Sequence, residues 1–177
     1  LSLGVGVVAF DFSGSGLSDG EYVTLGARER LDVRAVVQYL RDEGKTSTIA
    51  LWGRSMGAVT ALLYGDEDNM LDAIVLDSPF ASLRLLAEDL VQKASARIPA
   101  FAVHGVLRFV RASIQKRAGF DIDDVSAISH VQRMYIPALF CVARDDNFIA
   151  NSHSDKLHAK YAGAKFYLAV DGDHNEV

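Results

Sequence analysis

The chain has 177 residues, half of them hydrophobic and 23% charged, which suits one globular domain with a sizeable core. Its 18 basic and 23 acidic residues leave a net charge of −5 and no basic stripe, which argues against nucleic acid as the main partner. One cysteine, Cys141, excludes an intramolecular disulfide scaffold, and no apolar stretch approaches the ~20 residues needed to span a bilayer. Cys141 lies in an apolar run and reads as a buried, inert thiol. With no signal peptide in view, the expected location is cytoplasmic, and membrane association is not indicated.

In chain order, residues 5–10 (VGVVAF) predict a buried strand that ends at Asp11 and a glycine-serine turn. Residues 28–43 carry apolar positions at Leu31, Ala35, Val36, Tyr39 and Leu40, a helical spacing stopped by Gly44. A strand follows at 48–52, a helix at 56–64 and a strand at 73–76, closed by Asp77-Ser78-Pro79. Residues 83–117 read as mainly helical with a break at Pro99. A strand at 138–143, a helix at 152–161 and a strand at 165–170 complete the pattern. Nearly continuous apolar strands separated by helices predict a three-layer α/β/α sandwich with a mainly parallel sheet covered on both faces. The helical insertion, residues 83–132, departs from the alternation and is read as a small lid or cap, with extra packing as the alternative. Phe101, Val106, Leu107, Phe109 and Val110 within it suit an acyl pocket or plain packing.

The most informative stretch is Gly53-Arg54-Ser55-Met56-Gly57, between a predicted strand and a predicted helix. A nucleophile on such a turn sits in strained backbone, so Gly53 and Gly57 at ±2 need to be nearly free of side chain. The helix starting at Met56 aims its first N–H groups at the place where negative charge develops, which makes the Met56 N–H an oxyanion donor. Ser55 then needs a base and an orienting acid, in the order Ser, acid, His. His174, in the turn Asp171-Gly172-Asp173-His174-Asn175 after the last strand, is placed for the base. His153 and His158 read as surface residues of a helix, and His104 and His130 as surface or half-buried imidazoles of the insertion. Asp145 and Asp146 both follow the fourth predicted strand; Asp77 competes but reads as a structural carboxylate holding its own turn. Arg54 is expected to meet a carboxylate such as Asp77 rather than an anionic substrate. No zinc constellation is present, and Gly14 and Gly16 lack dinucleotide-motif spacing, so no metal or cofactor is expected.

These motifs resemble the α/β-hydrolase superfamily over nearly the whole chain. Residues 10–18 (FDFSGSGLS) are similar to the D-x-x-G-x-G-x-S turn after the family's fourth strand, and Gly53 to Gly57 to its nucleophile elbow. Ile136-Pro137-Ala138-Leu139-Phe140 through Phe148-Ile149 resembles the stretch carrying the family's acid, and that alignment places Asp146, not Asp145, on it. Val142-Ala143 stands there in place of the common His-Gly. Gly172-Asp173-His174-Asn175 resembles the turn carrying the histidine. Within the superfamily the chain is most similar to the serine aminopeptidase-like (S33-type) and lipid-hydrolase-like group, and intracellular depalmitoylating thioesterases share much of the pattern.

The resemblance implies one α/β-hydrolase domain over residues 1–177, corresponding to the family's C-terminal portion. It also implies a serine hydrolase that cleaves an ester, thioester or amide through an acyl-enzyme, with a small-molecule or acylated substrate. Ser55 would be the nucleophile, His174 the base and Asp146 its orienting acid. Members with epoxide hydrolase or dehalogenase activity generally use aspartate at the elbow, against which Ser55 argues. The family's second oxyanion donor follows its third strand, whereas this chain starts at the fourth, so either the native polypeptide is expected to extend upstream or a segment has been lost. Lack of one such donor lowers rate by about two to three orders of magnitude. The alternatives are a non-catalytic binding protein of the same fold and an inactive fragment.

Overall fold

The computed structural model describes residues 4–94 and 100–175, without the side chains of residues 94 and 100–103. Four strands, β1 (Ala50–Arg54), β2 (Ala73–Asp77), β3 (Ala138–Ala143) and β4 (Lys165–Val170), form one parallel sheet in that sequential order. Parallel neighbours require crossovers, and helices supply them. Helix α1 (Glu29–Asp42) precedes β1, and α2 (Met56–Gly65) joins β1 to β2. Between β2 and β3 run α3 (Leu83–Ala94), α4 (Ala100–Ala118) and three short 3-10 turns, and α5 (Ser152–Lys160) joins β3 to β4. Pro99, expected to break the helical insertion, lies outside the described residues. Among the described residues no helix is long and apolar enough to cross a membrane.

Helix α2 is the centre of the core. Every residue from 58 to 65 is buried, so this helix is apolar all round rather than amphipathic. It shares one core cluster with Ile74, Leu76 and Phe140 of the sheet, with Val33 and Val37 of α1, and with Ile122, Val125, Val131 and Met134 around the 3-10 turns. Gly65 is confined: a Cβ there would stand 2.9 Å from the Met134 side chain.

The parallel α/β architecture is as expected, and one particular differs. Because β1 to β4 add in one direction, right-handed crossovers place their helices on one face. The opposite face carries the row Trp52, Val75, Leu139 and Phe166, with Trp52 80% and Phe166 66% exposed. Residues 5–10, expected as a buried strand, form no ladder, and Val5, Val7, Val8 and Phe10 are exposed. A strand exists by pairing, and no described strand pairs with this segment. The turn after it is nevertheless well defined. Asp11 accepts from the Leu17 N–H at 3.0 Å, and Asp32 of α1 accepts from the backbone and hydroxyl of Ser13 at 2.8 Å.

Candidate active site

Ser55 links β1 to α2 with φ 51° and ψ −114°, backbone that a residue with a side chain adopts only when its surroundings impose it. Two contacts impose it here. The Ser55 N–H donates to the Asp77 carbonyl at 2.7 Å, and the Ser55 carbonyl accepts the Val59 N–H at 3.1 Å. Gly53 lets strand and helix approach: a Cβ there would stand 2.2 Å from the Gly57 carbonyl. Gly57 differs from expectation, since a Cβ there meets nothing within 4 Å. The close approach is made by the Gly57 backbone, so the constraint falls on Gly53. Met56 is the first residue of α2, and its N–H therefore has no partner within the helix.

Asp146 and His174 come from the loops after β3 and β4. His174 Nδ1 lies 2.7 Å from Asp146 Oδ2, and the Asp146 side chain is closed off from solvent. Its other oxygen accepts the N–H groups of Phe148 at 2.9 Å and Ile149 at 2.7 Å, which fixes the carboxylate from its own loop. An ionised acid accepts from Nδ1–H, leaving Nε2 of a neutral imidazole free to take a proton. The Phe148 ring packs on the imidazole with centroids 5.2 Å apart.

Arg54 ties this pair to the elbow. Its Nη2 donates to the His174 carbonyl, while its Nε faces Asp77 Oδ2 at 3.6 Å. The ion pair expected for Arg54 is therefore present, and the guanidinium also anchors the histidine loop beside residue 55. Among the described residues no hydrogen bond joins the Ser55 hydroxyl to His174. Such bonds commonly tighten only on substrate.

The other candidates separate from the site. Asp145 is exposed and binds the Gly172 carbonyl through its backbone N–H alone. Asp77 accepts from its neighbour Ser78 Oγ at 3.3 Å. Cys141 is half-buried rather than buried; burial and the Asp77 carboxylate raise its thiol pKa, favouring the protonated form. His153, expected at the surface, is fully buried: Nδ1 accepts from the Ala81 N–H at 3.2 Å and Nε2 reaches Asp89 at 3.0 Å. His158 packs edge-on against Phe140 and Tyr167, and His130 lies 2.7 Å from Asp66.

The apolar residues of α4 divide. Leu107 is buried, Val106 and Phe109 are exposed, and the Phe101 side chain lies outside the described residues. Val110 lines a groove of about 370 Å³ with Leu83, Ile114 and Phe120, and no member of the Ser55 site reaches it. Asp173, which the sequence does not single out, accepts from Asn147 and from the His174 N–H. An acid beside the histidine is its only local signal, because its partner is 26 residues away.

The family model for serine aminopeptidase, S33, matches residues 2–118, a span that includes the Ser55 elbow. The chain belongs to the S33 serine aminopeptidase family. It is 32% identical over 179 residues to the uncharacterized protein YqkD of Bacillus subtilis, covering 98% of this chain and 57% of that protein. An uncharacterized protein of Mycobacterium tuberculosis is 25% identical, with 98% of this chain and 54% of that protein covered. The chain thus spans little more than half the length of these relatives. Among solved structures, the Pyrococcus furiosus esterase Pf2001 superposes with a TM-score of 0.67 at 25% identity, over 94% of this chain and 61% of that one. A monoacylglycerol lipase of Paleococcus ferrophilus shares the fold at 17% identity and a TM-score of 0.62, over 94% and 74% of the two chains. The α/β-hydrolase fold expected from the sequence is thereby established.

Proposed function

We propose that this S33-family chain carries the nucleophile, base and acid of a serine hydrolase that cleaves an ester, thioester or amide. The observation that carries the reading is the Asp146–His174 pair, strapped through Arg54 to the strained residue Ser55. In this reading His174 Nε2 takes the proton of Ser55 as the hydroxyl attacks the carbonyl carbon. Asp146 keeps the imidazole in the productive tautomer and stabilises its charged form. The Met56 N–H at the start of α2 donates to the oxyanion. The same imidazolium then protonates the leaving group, and water, activated by His174, releases the acyl group and restores Ser55. Esterase Pf2001, at 25% identity, supports an ester among the three bond types.

The insertion at residues 83–132 is proposed as a wall and lid over this site. Lys93 near the end of α3 supports that role, since its Nζ donates to the Asn147 carbonyl at 2.9 Å, one residue past the proposed acid.

Treatment of the native-length protein with a fluorophosphonate probe tests the reading. We expect covalent labelling that Ser55→Ala abolishes. A folded, unlabelled wild-type protein would overturn it.

A further inference from the structure

We propose that Asp173 is a positioning residue for this centre, holding the loop of the acid and the loop of the base in register through Asn147; the inference rests on the triad reading above. The two loops leave different strands, and their carboxylate and imidazole meet at 2.7 Å. A separation that short demands placement within about 0.5 Å, more than one hydrogen bond between flexible loops provides. The Asp173 carboxylate supplies the added constraint. Its Oδ1 accepts the His174 N–H at 2.6 Å and the Asn147 N–H at 2.7 Å, while Oδ2 accepts the Asn147 side-chain amide at 2.8 Å. Asp173 therefore grips the residue that follows Asp146 and the residue that is His174 itself, without touching a reacting atom.

The chemistry at position 173 is specific. A carboxylate is an acceptor at both oxygens, which three donors require here. An amide at 173 keeps one accepting oxygen but turns a donor toward the donor of Asn147. Exchanging the two residues restores the match, because the introduced amide at 173 then faces an introduced carboxylate at 147. A structural filler would gain nothing from that exchange.

The test compares wild type, Asp173→Asn, Asn147→Asp and the double variant in native-length protein. Turnover of a short-chain p-nitrophenyl ester and the rate of fluorophosphonate labelling at Ser55 are the readouts. Each single substitution is expected to lower kcat about tenfold or more with KM unchanged, as small misplacements of reacting groups do. The double variant is expected to return to within about threefold of wild type. A single variant with wild-type kcat, or a double variant no better than the singles, overturns the proposal. Labelled wild type with an unimpaired Asp173→Asn refutes only the clamp. Absence of labelling in wild type refutes the triad reading and the clamp with it. All these substitutions conserve side-chain size, so the comparison does not depend on whether the more disruptive Asp173→Ala folds.

Discussion

The side chain of Asp146 is sealed from solvent, with one oxygen on His174 and the other on the N–H groups of Phe148 and Ile149. Asp145, its neighbour, is exposed and contributes only backbone. Their variants should therefore diverge. Asp146→Asn is expected to lower kcat by about four orders of magnitude, because the imidazole loses its orienting anion and settles in the wrong tautomer. Asp145→Asn should stay within about twofold of wild type. Steady-state kinetics on an ester substrate decide between them, and equal losses in both would remove Asp146 from its role. Residue chemistry was legible in the sequence wherever it depends on near neighbours. Gly53 and Ser55 share one turn, and the steric demand of that turn is written in five residues. Arg54 and Asp173 act on partners 120 and 26 residues away, and no spacing rule announces them.

Helix α1 shows why helical periodicity can be right about the element and wrong about its face. The apolar spacing points Leu31, Ala35 and Tyr39 inward, yet all three are exposed, and Val33 and Val37 are buried instead. Apolar residues lie on more than one side of this helix, so the buried side is set by what packs against it. Glu29, at the start of the same helix, is buried as well. Burial would raise its pKa, but hydrogen bonds from Thr24 and Gly26 outweigh that and hold it below the ordinary value. Helix α5 shows the same principle through His153, which joins α5 to Asp89 of α3 and to the Ala81 N–H. Burial lowers its pKa most, opposed by the Asp89 carboxylate and assisted by Lys156 and Lys93. The unfolded chain then takes up that proton more readily than the folded one. The stability His153 contributes is full above its ordinary pKa of about 6.5 and declines as pH falls below it. Urea unfolding between pH 7.5 and 5.5 should show this decline. His153→Gln should flatten the slope while lowering stability at pH 7.5 by about 1–3 kcal/mol.

At the scale of the molecule, the exposed row on the sheet has a physical consequence. Parallel sheets are ordinarily covered on both faces, and contiguous apolar surface in water drives association. The 177-residue chain by itself is expected to self-associate with rising concentration in sedimentation velocity. Replacing Trp52 and Phe166 by lysine should shift the population toward monomer, because both side chains are largely exposed and little packing is lost. No shift would mean that this face stays solvated in the isolated chain.

The amino-acid sequence by itself determined the order and kind of the elements from residue 28 onward, the strand-turn-helix at Ser55 and the loop positions of Asp146 and His174. Each rests on local rules of apolar spacing, turn chemistry and the steric limits of a tight elbow, except the choice of Asp146 over Asp145, which came from the resemblance to the α/β-hydrolase superfamily. Tertiary structure decided which side of α1 is buried, which face of the sheet the helices cover and whether residues 5–10 pair at all. It also placed His153 in the core, and it brought Arg54 and Asp173 onto the histidine loop. Those outcomes depend on residues far apart in the chain, and a one-dimensional pattern does not record the surface that each element meets.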